Sequence, residues 1–430
     1  MNISINIGIN QGTININSVE VSGKQQYGAE NQGNFHEDIF DGEVKEREEA
    51  PQEAGAEAEE KRENAVVVKK NSIVMNKNLT EMAEELIQQI EDVYTPKKKD
   101  NVFLSAIYKQ LYHNWGQKYD NYYYANKSER LFYCGSLLVF EISAEGSRKL
   151  ISTSSCCVRL CPMCAWRRSL KAYREMRITF DYLKKHEEDY KFIFLTLTQR
   201  NVKGEQLKEE LDNILYAFNR FMKLKQIKKI SLGFMRSLEV TYNKAADTYH
   251  PHIHVLIYTT NGLYSGRNYI AQKEYRKIWA DLLGLDYLPQ VNVKQFKPKD
   301  ERTEGKELAE MCKYSVKPSD YIFPDNKELS EKVARVLDKS LNGRRLLSYG
   351  GDLRKIRKKL LLTDDELTED ELADDDDLID SVEEKEPGYL ELYRWHFGEE
   401  KYKKLVGEDK RAVLEQLHER ASARKEKEKK

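Results

Sequence analysis

Residues 250–258 have the sequence HPHIHVLIY, and this stretch is the strongest indication of both the fold and a functional site. Polar and apolar side chains alternate with a period of two, which is typical of a β-strand with two different faces. His250, His252 and His254 lie on one face, and the aliphatic side chains lie on the other. The apolar face is expected to pack on helices, and the histidine face to point away from them, toward solvent or a substrate.

The stretch belongs to a regular succession of predicted strands and helices. KFIFLTLT (191–198), SLEVTY (237–242) and QVNVKQF (290–296) are rich in β-branched and aromatic residues, as strands are. Apolar residues at helical spacing predict a helix after the first strand, another before the last, and a third over 304–317. The order β-α-β-β-α-β indicates an α+β fold with a ferredoxin-like or RRM-like antiparallel sheet and helices on one face.

The charge of the chain is strongly segregated. Residues 1–64 carry a net −9 and residues 364–386 a net −13, against −1 for the whole chain, so the remainder carries +21. This surplus is typical of a nucleic-acid-binding protein. No apolar run reaches membrane-spanning length and no secretory signal is evident, so we expect a cytoplasmic protein without a membrane partner.

Composition and periodicity predict the domain organisation. The expected segments are 1–64 (low-complexity and disordered), 65–128 (helical, with a helix that ends at Pro96), 129–185 (a zinc-ribbon-like segment and a basic helix over 166–185), 186–325 (the domain with the histidine strand), 326–363 (a helical extension), 364–386 (an acidic linker) and 387–430 (a C-terminal helical tail). Within the first segment, the alternating Asn/Ile tract could instead pair as an edge strand or aggregate.

The histidine strand predicts a metal site. On the preceding strand, Glu239 is out of phase with its apolar neighbours and therefore shares a face with His252 and His254. Two imidazoles and a carboxylate suit Mg²⁺ or Mn²⁺ and leave coordination positions open for substrate oxygens. The alternative is an exposed polar strand face. His250 is either a third imidazole ligand or a strand-end residue, because Pro251 interrupts the ladder there.

A second candidate lies in ELAEMCKYSVK, residues 307–317. In a helix, Glu310 and Tyr314 would share one face, with Lys317 one turn further on. A tyrosine hydroxyl titrates near 10, so it needs a metal ion or a cation nearby to act as a nucleophile. On these grounds alone, a half-buried tyrosine at a helix edge is the simpler interpretation.

The cysteines predict a second metal site. Cys161-Pro-Met-Cys164 has the spacing of a zinc knuckle, and Cys134 and Cys156 would complete four thiolates, with Cys157 as the alternative to Cys156. Buried free thiols are the competing interpretation, and Cys312 is expected to be a core residue. The basic residues that follow the knuckle are candidate DNA contacts: Arg167, Arg168 and Lys171.

Taken together, FLTLT, EVTYN with HPHIHVLI, and E-x-x-x-Y within ELAEMCKYSVK resemble the three motifs of plasmid rolling-circle replication initiators. These proteins belong to the HUH endonuclease superfamily, where U is a hydrophobic residue, and the resemblance is to the Rep_1 group of small Gram-positive plasmids. The resemblance covers residues 129–360 and includes RRLLSYGGDLRKIRKKL. It implies the HUH nuclease fold, with His252 and His254 as metal ligands and Glu239 as a third.

The same resemblance implies further roles. Tyr314 corresponds to the nucleophile that nicks the origin and joins its 5′-phosphate, which frees a 3′-hydroxyl primer. Glu310 corresponds to an acid that promotes water attack at termination, and Lys313 and Lys317 match basic positions. A similar cysteine segment in the family supports structural Zn²⁺. The implied partners are single-stranded or hairpin origin DNA, a host helicase and a polymerase, and an oligomer is possible.

Two other functions fit parts of the pattern. A one-tyrosine HUH transposase or a conjugative relaxase would keep the fold, although a relaxase usually places its tyrosine before the histidines. A zinc-dependent DNA-binding regulator without catalysis would keep only the cysteine segment.

Overall fold

The computed structural model describes residues 2–10, 13–22, 85–116, 122–142, 148–187, 191–259, 269–296, 301–312, 315–360 and 389–428. The strands are β1 (Asn2–Asn10), β2 (Thr13–Ser22), β3 (Leu137–Ile142), β4 (Arg148–Thr153), β5 (Lys191–Thr198), β6 (Gly233–Asn243), β7 (Thr248–Thr259), β8 (Val291–Phe296), β9 (Leu347–Gly350), β10 (Tyr389–His396) and β11 (Lys401–Lys404). The α-helices are α1 (Thr95–Leu111), α2 (Tyr123–Tyr133), α3 (Pro162–His186), α4 (Gly204–Phe221), α5 (Lys225–Ile230), α6 (Gln272–Leu283), α7 (Glu301–Met311), α8 (Lys327–Leu341), α9 (Gly351–Lys359) and α10 (Gly407–Glu428).

The chain divides into two compact units, residues 1–85 with 406–413, and residues 86–405 with 414–430. In the first unit, β1 and β2 form an antiparallel hairpin with a register shift between Asn6 and Ile7. The Asn/Ile tract thus forms strands, the alternative to disorder that its sequence left open, and its alternating Asn and Ile residues suit a pleated ribbon. Residues 23–64 lie outside the described part.

The second unit is built on a five-stranded antiparallel sheet with the order β8-β5-β7-β6-β9. The three predicted strands and the histidine strand are confirmed as β5, β6, β8 and β7. In the register, Glu239 on β6 and Thr198 on β5 both lie opposite His252, and Thr196 lies opposite His254. The register therefore gathers polar side chains from three strands on one face.

Helices cover both faces of this sheet, so the prediction of helices on one face only is wrong. The aliphatic face of β7 packs on α4, as expected, and α6 and α8 pack on α4 in the same core. On the histidine face, α3, α7 and α9 cover an apolar half that includes Phe192, Phe194 and Leu256. The reason lies in β5, whose first half is apolar on both faces while its second half places threonines beside the histidines. The polar half of this face carries Glu239, His252 and His254, whose side chains keep a small exposure.

A four-stranded antiparallel sheet, β11-β10-β3-β4, joins two distant parts of the chain. The prediction of a wholly helical tail over 387–430 is wrong, because β10 and β11 precede α10. Buried Tyr393 and Trp395 alternate with exposed Arg394 and His396, a period of two that indicates a strand. The helical extension over 326–363 likewise contains β9, which extends the five-stranded sheet.

Two predicted helix ends are also corrected. Helix α7 ends at Met311 and does not continue to Lys317. Lys317 precedes Pro318 and is extended (ψ 140°), because a proline disfavours the helical conformation of the residue before it. Conversely, Pro96 does not end a helix but lies in the first turn of α1, where its missing N–H costs nothing. No described helix has both the length and the apolar composition of a membrane span.

Candidate metal and nucleophile sites

Glu239, His252 and His254 converge at the polar half of the histidine face. Glu239 Oε2 lies 3.2 Å from Nε2 of His252 and 3.2 Å from Nε2 of His254. Cis ligands of a six-coordinate ion with 2.0–2.1 Å bonds are about 3 Å apart, so the three atoms have the spacing of a shared ligand set. Each side chain is only 12–14% exposed, and the strand register fixes its position.

The second ring nitrogen of each histidine also has a partner. His254 Nδ1 lies 3.2 Å from Thr196 Oγ1, and His252 Nδ1 lies 3.3 Å from the His250 carbonyl oxygen. Such outer contacts orient an imidazole so that its other nitrogen faces a ligand. The His250 ring turns elsewhere, with Nδ1 3.0 Å from Asn201 Oδ1, and it lies outside the three-residue cluster.

The ionisation state of Glu239 suits cation binding. Burial alone would raise the pKa of this carboxyl. Hydrogen bonds and positive charge from His252 and His254 outweigh burial and hold the pKa well below its usual range. The site therefore offers a carboxylate at any ordinary pH.

The chain after α7 returns to the strand that carries Glu239. The Ser315 carbonyl oxygen accepts a hydrogen bond of 2.8 Å from the N–H of Val240, the residue next to Glu239. Lys317 is exposed just beyond this contact, and Glu310 is exposed in the last turn of α7. Lys313 and Tyr314 lie outside the described residues, so their predicted roles remain predictions.

The four cysteines predicted to bind zinc lie close together in the structure. Cys134 Sγ lies 3.5 Å from Sγ of both Cys161 and Cys164, and Cys156 Sγ lies 3.8 Å from Cys164 Sγ. Sulfurs of a tetrahedral zinc site with 2.3 Å bonds are about 3.8 Å apart. All four side chains are buried and none is in a disulfide. Cys157, with φ +57°, is outside the set, which resolves the choice in favour of Cys156.

Two buried polar residues adjoin the sulfurs. Lys98 Nζ donates to the carbonyl oxygens of Phe132 and Cys134 and to Ser136 Oγ, and burial lowers its pKa to about 8 against the opposing effect of the thiols. Asn101 Oδ1 accepts from Cys161 Sγ, while its buried Nδ2 has no hydrogen-bond partner among the described residues. Once Cys161 is a thiolate, a rotated amide would donate Nδ2–H to the sulfur and satisfy both groups.

The predicted DNA contacts next to the knuckle have structural partners. Arg167 donates to Ser155 Oγ, and Arg168 donates to the carbonyl oxygens of Cys164 and Val158. These bonds frame the cysteine loop. Lys171 is half-buried on α3.

Four residues beside the two clusters were not predicted from the sequence. Thr196 and Thr198 alternate with leucines in FLTLT, and this period of two is the signal that would have placed them on the histidine face. Lys98 and Asn101 carry no such signal, because their contacts depend on how α1 packs.

Comparison with known proteins agrees with the motifs. The sequence model of a family described as Replication protein, Rep_1, matches residues 147–403. A Protein rep of a Bacillus species is 40% identical over 274 residues, covering 60% of this chain and 85% of the relative. A Protein rep of Bacillus amyloliquefaciens is 38% identical over 327 residues, covering 71% of this chain and 92% of the relative. No solved structure matches the chain.

The family match spans more than half of the chain and contains both clusters apart from Cys134. The chain belongs to the Rep_1 family of replication proteins. The resemblance drawn from its motifs is thereby confirmed.

Proposed function

We propose that this protein initiates plasmid rolling-circle replication by nicking one strand of origin DNA through Tyr314. The observation that carries the proposal is the convergence of Glu239, His252 and His254 on a partly open sheet face. The strand order β8-β5-β7-β6 supports an HUH-type fold. If the four strands of the β-α-β-β-α-β unit are numbered 1 to 4 along the chain, their order across the sheet is 4-1-3-2.

The ligand set fits a divalent ion with vacant positions, as Mg²⁺ or Mn²⁺ sites on enzymes have. Such an ion would polarise the scissile phosphate. The chain itself supplies rigid positioning: β6 and β7 hold the three side chains, and the bond from Val240 to Ser315 ties the residue after Tyr314 to the same strand. Positioning and charge neutralisation are the main demands of phosphoryl transfer.

In the proposed reaction, the Tyr314 oxygen bonds to the scissile phosphorus, and the bond from phosphorus to the 3′-oxygen breaks. The phenol proton leaves to solvent or base, and the departing 3′-oxygen takes up a proton to become the primer end. The phosphodiester is exchanged for a phosphotyrosine, so later strand transfer needs no ATP. Glu310, Lys313 and Lys317 keep the roles that the family resemblance implies.

We further propose that Cys134, Cys156, Cys161 and Cys164 bind structural Zn²⁺. Four buried sulfurs at tetrahedral spacing, a buried lysine and an amide that needs a thiolate partner all support it. The implied partners remain origin DNA, a host helicase and a polymerase.

The test is a nicking assay on supercoiled plasmid that carries a candidate origin. Wild-type protein with Mn²⁺ should give open circles with protein joined to the 5′ end at one mapped position. His250→Ala is the matched control, since His250 lies on the same strand but outside the cluster. It should nick, whereas His252→Ala should not. Equal nicking by both variants, or none by wild type on any origin, would refute the proposal.

A further inference from the structure

An arginine–tyrosine pair lies just beyond the end of β5, the strand that pairs with the histidine strand. The Arg200 guanidinium lies 3.7 Å from the centre of the Tyr287 ring, and the backbone N–H of Arg200 donates a hydrogen bond of 2.8 Å to Tyr287 Oη. Arg200 is exposed. Among the described residues no carboxylate lies within ion-pair distance of it. The pair therefore presents a flat cation stacked on an aromatic ring, and the cation has no carboxylate partner among the described residues.

The position of the pair follows from the strand register. Thr198, two residues before Arg200, lies opposite His252, and Asn201, the next residue, contacts the His250 ring. Opposed residues in antiparallel strands are about 5 Å apart, and two residues add at most about 7 Å. The Cα atom of Arg200 is thus within about 12 Å of the Cα atom of His252, close enough for its side chain to meet a nucleotide next to the scissile phosphate.

The loop that carries Tyr287 is held firmly in place. Arg276 donates to the carbonyl oxygens of Leu288 and Pro289, and Thr198 Oγ1 donates to the Gln290 carbonyl oxygen. Leu288 beside the ring is 46% exposed. These bonds hold the loop in a fixed position, so Tyr287 and Leu288 need little ordering before they contact a ligand.

We propose that Arg200 and Tyr287, flanked by Leu288, bind an unpaired base of single-stranded DNA next to the nick, a subsite that rests on the proposed function. Aromatic rings and arginine planes stack on bases of any sequence, and a basic neighbour attracts the backbone. Unpaired bases are available only where the origin is single-stranded or extruded, so the pair would favour such DNA over duplex.

The first experiment reads stacking without cleavage. Full-length protein as purified, with no Mg²⁺, Mn²⁺ or chelator added, is mixed with short oligothymidylates that carry one 2-aminopurine. Wild type should quench the fluorescence, and Arg200→Ala and Tyr287→Ala should each weaken binding by about 5- to 150-fold and lose the quenching. Tyr287→Phe, which keeps the ring but loses the hydroxyl, should retain most of the quenching. The matched control is Tyr216→Ala: Tyr216 is 64% exposed and lies near Arg220, but on α4, behind the opposite face of the sheet.

The second experiment separates this inference from the proposed function. In a nicking assay on intact single-stranded origin oligonucleotides, Arg200→Ala should raise KM by a similar factor and change kcat by less than about threefold, because the pair binds a base and not the reacting atoms. If Tyr287→Ala and Tyr216→Ala quench and bind alike, the subsite is wrong even if wild type nicks normally. If wild type fails to nick but the quenching pattern holds, the nuclease proposal fails and the stacking site stands.

Discussion

The two candidate metal clusters differ in exposure, and the difference separates scaffold from chemistry. The four sulfurs belong to side chains that are essentially buried, whereas Glu239, His252 and His254 line a partly open face. Structural zinc sites are closed by four protein ligands, and catalytic sites keep positions for substrate. The cysteine cluster has the features of the first kind and the histidine cluster those of the second.

One helix connects the two clusters. Helix α3 begins at the knuckle, with the Cys161 sulfur accepting a bond from the Cys164 N–H at its first turn. Further along, Met176 and Phe180 pack on the apolar half of the histidine face. The cysteine cluster therefore fixes the start of the helix that covers the sheet beside the proposed active site.

The largest effect, on zinc content and melting temperature, is expected from the loss of one zinc thiolate. Cys161→Ser should abolish stoichiometric zinc and lower the melting temperature by on the order of 10 °C or more, because binding of structural zinc contributes directly to folding. Atomic emission and thermal melts measure both. Cys157→Ser is the control, since Cys157 is buried but outside the set. Full zinc content in Cys161→Ser would contradict a closed four-thiolate site.

Changes at the histidine cluster should affect activity and leave the fold intact. Glu239→Gln keeps the shape of the side chain but removes the charge, and it should lower nicking by about 100-fold or more through loss of the divalent ion. The melting temperature and zinc content should stay near wild type. A large drop in melting temperature would show that this cluster is structural too, and the contrast between the two clusters would fail.

A smaller effect is expected from the contact that orients His254. Thr196→Val removes the hydroxyl beside Nδ1 and should weaken Mn²⁺ binding by about 10- to 100-fold, so that activity returns as Mn²⁺ is raised. Thr198→Val is the comparison, because its hydroxyl bonds the Gln290 carbonyl oxygen and no histidine. If the Mn²⁺ requirement is the same in both variants, Thr196 does not orient the ligand.

The smallest effect concerns the buried lysine at the sulfurs. Lys98→Met removes a positive charge next to four thiolates and should speed zinc loss to a chelator by about 10-fold. Lys97→Met is the matched control, because Lys97 Nζ bonds the Val93 carbonyl oxygen and lies over the Trp166 ring. Equal rates of zinc loss would mean that Lys98 only satisfies the carbonyl oxygens around it.

Much of the fold and of both clusters could be predicted from local patterns. A period of two placed Glu239 with His252 and His254, because a strand register needs only phase. The knuckle spacing fixed Cys161 and Cys164 for the same local reason. The choice between Cys156 and Cys157 could not be made, since it depends on a left-handed turn at Cys157.

What the sequence did not predict depends on contacts between distant segments. The pairing of β10 with β3 joins residues about 250 positions apart, and no local pattern specifies that partner. The helices that cover the histidine face were not predicted, because Phe192 and Phe194 indicate that this face is buried but do not indicate which helices bury it. The extended conformation of Lys317 was missed because the effect of Pro318 on the residue before it was not weighed against the helical spacing of Glu310 and Tyr314.

The most direct test of the central claim is to identify the residue that becomes joined to DNA. Wild-type protein is incubated with Mn²⁺ and an oligonucleotide that spans the mapped nick, then digested and analysed by peptide mass spectrometry, with Tyr314→Phe in parallel. We expect the 5′-phosphate on Tyr314 and no covalent product from the variant. An adduct on another residue, or undiminished nicking by Tyr314→Phe, would contradict the assignment of the nucleophile.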